Sequence, residues 1–215
     1  MTLAEYSLLA ASSLFVIIDP LATVPAFLAM TPTDTPEQRI KMARLACCVS
    51  AGVLVVFSIA GKWIFKFLGI TMPAFQIAAS IVLLLVALDM LRAQRSRVHE
   101  TSEETAAGIE KNDIAIAPLA IPMLAGPGAI STAILLNNQA ANVAQRGALF
   151  VSILAVCLAC YFILRVSAHG ARWLSPIAMN LTVRIMGLLL CSVAIQFMVN
   201  ALKQLKTEWA AAGPG

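Results

Sequence analysis

The chain has 215 residues, of which 60% are hydrophobic and 12% charged, with a formal net charge of +4 and a mean hydropathy of +0.87. A soluble domain carries about a quarter of its residues as charged side chains, so this chain cannot cover a water-facing surface, and the bilayer is the solvent for most of it. The basic residues sit singly between apolar runs, which reads as topology signalling and leaves no nucleic-acid footprint.

Met1 to Tyr6 carry Glu5 and no Lys or Arg, so the positive n-region of a signal peptide is missing. Apolar stretches of about 20 residues mark transmembrane helices. The first runs from Tyr6 to Met30, the second from Ala43 to Gly61 with Trp63 at its edge, and the third from Ile70 to Leu91. A charged loop, Arg92 to Asp113, follows. The fourth span runs from Ile114 to Leu136, the fifth from Gly147 to Val166 and the sixth from Arg184 to Leu202. Trp173 to Met179 is expected to lie along the interface as a short amphipathic piece. The expected fold is all-α integral membrane: residues 1–91 as a first three-helix repeat, 92–113 as a cytoplasmic loop, and 114–215 as a second repeat with the interfacial piece and a C-terminal tail.

The loops after spans one, three and five hold ten Lys and Arg; the termini and the other loops hold five. The positive-inside rule then places both termini outside the cytoplasm.

Span one contains Ile18-Asp19-Pro20-Leu21-Ala22 with Pro25, and span four contains Ile116-Ala117-Pro118-Leu119-Ala120 with Pro122. Spans three and six match at an offset of 107, which sets Ala79-Ser80 on Met186-Gly187, Ala87 on Ala194 and Asp89 on Gln196. A unit of three spans, copied in tandem, must sit in opposite orientations, giving an inverted repeat whose first helix is broken in each half.

Proline inside a helix removes a hydrogen bond and clashes with the preceding turn. Within a membrane such a break survives only where it lines a cavity or is buried in protein. Pro20 and Pro25 break span one; Pro118, Pro122 and Gly126-Pro127-Gly128 break span four. The paired breaks point to a transport site. Asp19, 13 residues into its span, is a mid-membrane charge costing about 2.5–3.5 kcal/mol on insertion scales. It reads as a ligand or proton site, with capping of the half-helix that begins at Pro20 as the plainer alternative. The free N–H groups after Gly126-Pro127-Gly128 suit a carboxylate, the alternative being a kink for close packing. Thr23, Ser131 and Thr132 offer hydroxyl contacts, or bond back to their own helices.

Cys47, Cys48, Cys157, Cys160 and Cys191 fall inside apolar runs and read as small residues at helix contacts. Asp89 beside Arg92 reads as a headgroup-level charge, and Gln196 as a donor to a neighbouring helix. No ATP-binding loop and no H-E-x-x-H occur, and no catalytic residue, metal or cofactor is expected. A cation-efflux protein, an intramembrane enzyme and a structural membrane protein are the weaker alternatives.

These residues resemble the MarC family of bacterial inner-membrane proteins, also described as the SnatA-like neutral amino acid transporter family. The likeness rests on Asp19-Pro20 with Pro25, on Ile116-Ala117-Pro118-Leu119-Ala120-Ile121-Pro122 with Ala125-Gly126-Pro127-Gly128-Ala129-Ile130, and on Arg184-Ile185-Met186-Gly187 with Gln196-Phe197. It covers essentially the whole chain. Where the family tends to carry a glycine pair in span three, this chain has Ala79-Ser80. The resemblance implies an inner-membrane secondary transporter of small neutral amino acids such as glycine, alanine or serine, with proton or sodium coupling and a homo-oligomer both compatible. The substrate-binding residues expected from the breaks are Asp19, Pro20, Thr23, Pro118, Gly126, Pro127, Gly128, Ser131 and Thr132, with Asp19 also serving coupling.

Overall fold

The structure is a computed structural model that describes residues 1–31, 34–92, 115–170 and 176–212. Every described element is helical: α1 (Leu3–Ile18), α2 (Pro20–Met30), α3 (Pro36–Leu68), α4 (Met72–Leu91), α5 (Ala115–Leu124, π-helical), α6 (Pro127–Gln139), α7 (Val143–Gly170) and α8 (Pro176–Ala212). The starts follow local chemistry. Thr2 with Glu5 and Thr35 with Gln38 form capping boxes at α1 and α3. Thr71 caps α4 through the Ala74 N–H. Proline, which has no N–H to leave unpaired, opens α2, α3, α6 and α8. Gly69 ends α3 in the left-handed region at φ 65°.

Five helical stretches are long and apolar enough to cross a membrane: Leu3–Met30, Pro36–Leu68, Met72–Leu91, Val143–His169 and Val183–Thr207. The sixth is the α5–α6 pair, bent by 54°. It climbs beside α3: Ser50 Oγ reaches the Ala120 carbonyl at 3.4 Å in mid-helix, and Ile134 touches Gly61 near the end of α3. The chain is therefore an all-helical, multi-pass integral membrane protein. The Arg92–Asp113 loop lies outside the described residues, apart from Arg92 itself. Residues 171–175 also lie outside them, and from Pro176 onward the stretch expected at the interface is the first turn of α8.

The helix order gives each half the opposite sense. The start of α1, the end of α3 and the start of α7 share one face, where the Gln145 amide donates to the Met1 carbonyl at 3.1 Å. The end of α2, the start of α3 and the end of α7 share the other, where Arg39 reaches both Thr31 and Ala168. Packing follows the same exchange. The broken span α1–α2 lies on α7, the broken span α5–α6 lies on α3, α3 meets α7, and α4 meets α8.

The element bounds add a register that the proline motif did not suggest. Moving 107 residues along takes Asp19-Pro20 to Gly126-Pro127, the start of α3 at Pro36 to the start of α7 at Val143, and Ala87 to Ala194. One offset thus relates all three spans. The I-x-P-L-A match at Ile116 runs nine residues out of that register. Pro118 sits inside α5, whereas its supposed counterpart Pro20 opens α2.

Two apolar cores result. The larger joins α1, α3, α5, α6 and α7 through Tyr6, Leu14, Leu54, Leu119, Leu124, Ile130, Leu149 and Ile153, with Cys47, Cys157 and Cys160 buried among them. The smaller ties α4 and α8 to α2 through Ala26, Ala29, Leu83, Ala87, Leu190 and Ala194. Ser80, where the glycine pair is missing, is fully buried and bonds the Ile77 carbonyl of its own helix. Close approach of α4 to α8 is made instead at Gly187, where an added Cβ would stand 2.9 Å from Leu91 N and 3.0 Å from the Ala87 oxygen.

Candidate functional site

The first break is one residue long. Asp19 ends α1 and starts α2 in the left-handed conformation, φ 45° and ψ 71°, which among non-glycine residues Asp and Asn tolerate best. Its Oδ1 accepts from the Ala22 N–H at 3.1 Å, so the capping alternative holds. The carboxylate is nevertheless exposed on the protein surface in the middle of the Leu3–Met30 span. Pro20 is buried at the first position of α2. Thr23 is buried, and its Oγ1 donates to the Asp19 carbonyl at 3.0 Å.

The second break is wider. Pro118 and Pro122 lie within α5, and both are buried. Proline at these positions cannot donate the regular i→i−4 bonds, and the chain widens into a π-helix in which the Ala125 N–H bonds the Ala120 carbonyl at 2.8 Å. Gly126 then starts α6 in extended backbone, with no side chain capping the helix. A Cβ at Gly126 would stand 2.5 Å from the Pro122 carbonyl oxygen, so only glycine fits the return of the chain over α5. Pro127 is buried at the first helical position. Gly128 is half-buried, and a Cβ there would stand 3.2 Å from Ile17 Cγ2, two residues before Asp19. The start of α6 therefore lies against the end of α1 beside the first break; the start of α2 is capped by its own carboxylate, and that of α6 carries no side-chain cap.

Ser131 and Thr132 follow on α6 and line a cavity of 340 Å³. Its walls are Met72 and Gln76 of α4, Ile134, Leu135 and Asn138 of α6, and Gln204 of α8. None of the lining residues is charged. Ser131 Oγ donates to the Gly128 carbonyl at 2.9 Å, which leaves Thr132 as the better-placed hydroxyl. Asp19, Pro20, Thr23, Pro118, Gly126, Pro127 and Gly128 do not line this cavity. Gln76, Asn138 and Gln204 were missed by motif reading; the signal for Gln76 was a lone amide early in an apolar span, where polar side chains are costly.

The structure also places three other residues. Gln196 does not reach another helix: its amide donates to Asn200 Oδ1 at 2.8 Å one turn along α8. Asp89 is half-buried in the last turn of α4. Arg39, counted as a topology signal, is buried instead. Its Nε donates to the Thr31 carbonyl at 3.0 Å and to Thr31 Oγ1 at 3.2 Å, and its terminal nitrogens donate to the Thr31 carbonyl at 2.5 Å and to the Ala168 carbonyl at 3.3 Å. A second cavity of 420 Å³, on the face away from Arg39 and sharing Ile134 and Asn138 with the first, is lined by Ser58, Lys62 and Trp63 of α3, Asn137 and Asn138 of α6, and Arg146 of α7, among others.

Known proteins extend this reading. The family model described as "MarC family integral membrane protein" matches residues 4–206. A UPF0056 membrane protein of Methanocaldococcus jannaschii is 34% identical over 203 residues, covering 93% of this chain and 97% of its own. A UPF0056 membrane protein of Aquifex aeolicus is 32% identical, with 90% of each chain covered. One of Escherichia coli is 30% identical, with 88% of each covered. No solved structure matches. With a whole-length match to the family model and relatives above 30% identity over most of both chains, the protein belongs to the MarC family of integral membrane proteins.

Proposed function

We propose that this protein is a secondary transporter of small neutral amino acids of the glycine, alanine or serine type. The observation that carries the reading is that the start of α6 packs on the last turn of α1, with Gly128 against Ile17, two residues before the Asp19 break. Discontinuous helices in matching places of two inverted halves are where transporters hold solutes, since the loosened backbone supplies N–H groups and carbonyls inside the membrane. The start of α6 offers N–H groups and a positive dipole end for a carboxylate. Asp19 offers the opposite pole, for an ammonium group or a proton. A carboxylate in mid-span is stable only against water or protein, not against lipid tails, so its exposure favours a water-filled path at the break. The 340 Å³ cavity beyond, with hydroxyl and amide walls, suits a small, polar, uncharged-overall solute. Coupling to protons or sodium, and inner-membrane placement with both termini outside, belong to the same proposal.

The test is uptake of labelled glycine and alanine by the full chain in liposomes, with and without a pH gradient, beside Asp19→Asn. Uptake of one of these solutes, lost or uncoupled from the gradient in Asp19→Asn, is the expected outcome. No uptake of any neutral amino acid under either condition sinks the substrate class.

A further inference from the structure

The offset of 107 that relates the two halves carries Arg39 to Arg146 and Thr31 to Asn138, and it carries Gly61 to Ala168. The surroundings of the two arginines are therefore two copies of one site, on opposite faces of the membrane. The copies are in different states. Arg39, 3% exposed, joins the C-terminal ends of α2 and α7 by donating to the Thr31 and Ala168 carbonyls. Helix C-terminal carbonyls have no partner within their own helix and carry the negative dipole end, so a guanidinium binds two of them well. Arg146 is exposed. It stands at the edge of the 420 Å³ cavity that also holds Asn138, the counterpart of Thr31, and Lys62, which follows Gly61. On one face the arginine has drawn three helices together; on the other, the same residues bound an open space.

We propose that Arg39 and Arg146 are alternating latches that determine which face of the protein is open, and that this structure shows the state with the Arg39 face closed and the Arg146 face open. In the opposite state, Arg146 donates to the Asn138 carbonyl at the end of α6, as Arg39 does to Thr31, and the cavity around it closes; Gly61, the counterpart of Ala168, lies seven residues before the end of α3, so its carbonyl is not a free helix end. Arg39 then leaves the Thr31 and Ala168 carbonyls, and a matching cavity opens there. Two halves with one backbone plan reach two states of similar energy by exchanging conformations, and a latch made of hydrogen bonds to helix ends is discrete, either made or absent. This deepens the transport reading above and rests on it. The plainer account gives Arg39 a fixed structural role and lets Arg146 extend to the headgroups as surface arginines do.

The two accounts differ in one measurable respect, the coupling between faces. Spin labels are placed on the full chain in nanodiscs, with Cys48→Ala and Cys191→Ala to remove the less buried native thiols. One pair, Trp63→Cys with Val143→Cys, spans the Arg146 cavity; the other, Lys41→Cys with His169→Cys, spans the Arg39 face. All four positions are exposed. Electron–electron distances are measured with native arginines, in Arg39→Gln and in Arg146→Gln. The expected result for Arg39→Gln is a longer Lys41–His169 distance together with a shorter Trp63–Val143 distance. Arg146→Gln is expected to deplete the population with the short Trp63–Val143 distance and to leave the Arg39 face closed. An Arg39→Gln protein that loosens at its own face while Trp63–Val143 stays unchanged overturns the proposal. Should Arg39→Gln fail to fold, distributions for Arg146→Gln identical to those with native arginines overturn it equally. Liposome uptake on the same proteins separates this from the transport reading: opposite shifts without uptake remove the substrate class and keep the latches, and uptake without opposite shifts does the reverse.

Discussion

The buried Tyr6 hydroxyl donates to the Leu136 carbonyl oxygen at 2.7 Å, tying the first turn of α1 to the last turns of α6. This bond spans 130 residues and joins the two broken spans at the face that carries the N-terminus. Tyr6→Phe keeps the ring in the core and removes only the donor. Hydrogen bonds between membrane helices are worth about 0.6–2 kcal/mol, and the Leu136 carbonyl would keep only its bond from the Ala140 N–H. A loss of about 1 kcal/mol is expected, read as a lower melting temperature in detergent with unchanged oligomeric state.

Gly126→Ala is expected to be far worse than its size suggests. The new methyl group would meet a backbone oxygen, not a side chain that can turn aside. Overpacking of this kind costs about 1–3 kcal/mol. Gly52→Ala is the control, because nothing lies within 4 Å of a Cβ there and alanine favours a helix by about 1 kcal/mol. Thermal stability should fall for the first and hold or rise for the second.

At Gly187 an added methyl group would press on the α4 backbone at Leu91 and Ala87. Gly187→Ala therefore forces α4 and α8 apart, again at about 1–3 kcal/mol. A melting temperature within error of the unsubstituted protein would contradict the close crossing.

Asp19 separates structure from function cleanly. Asparagine caps a helix about as well as aspartate and accepts the left-handed backbone. Asp19→Asn should thus melt within about 0.5 kcal/mol of the native chain while losing at least about tenfold in amino acid uptake if the charge serves binding or coupling. Asp19→Ala loses the cap as well, and its added destabilisation of about 1–2 kcal/mol gives the size of the structural role.

Thr132 tests the cavity. Thr132→Val preserves shape and removes the hydroxyl. An uptake KM raised about fivefold or more, with the maximal rate held, is expected for a hydroxyl that contacts the solute, since one neutral hydrogen bond contributes about 0.5–1.5 kcal/mol. Ser131→Ala should matter less, because the Ser131 hydroxyl is already used on Gly128.

Composition and span length by themselves determined that this chain is an all-helical membrane protein with breaks at Asp19-Pro20 and near Gly126. Hydrocarbon admits few charges, and proline and glycine act through their own backbone, so both signals are local and legible. Asp19 as a cap was legible for the same reason. The offset of 107 was legible in spans three and six, and the tertiary structure extended it to the other two pairs of spans. The I-x-P-L-A likeness is a short local match, while for those pairs the offset of 107 shows in helix starts and helix pairings, which are relations of packing. Only the tertiary structure decided which polar groups meet. Gln76, Asn138 and Gln204 come from three helices to join Thr132, and Arg39 becomes a buried bridge because the ends of α2 and α7 converge on it. Such convergence depends on distances between segments far apart in the chain, and no spacing within one segment encodes it.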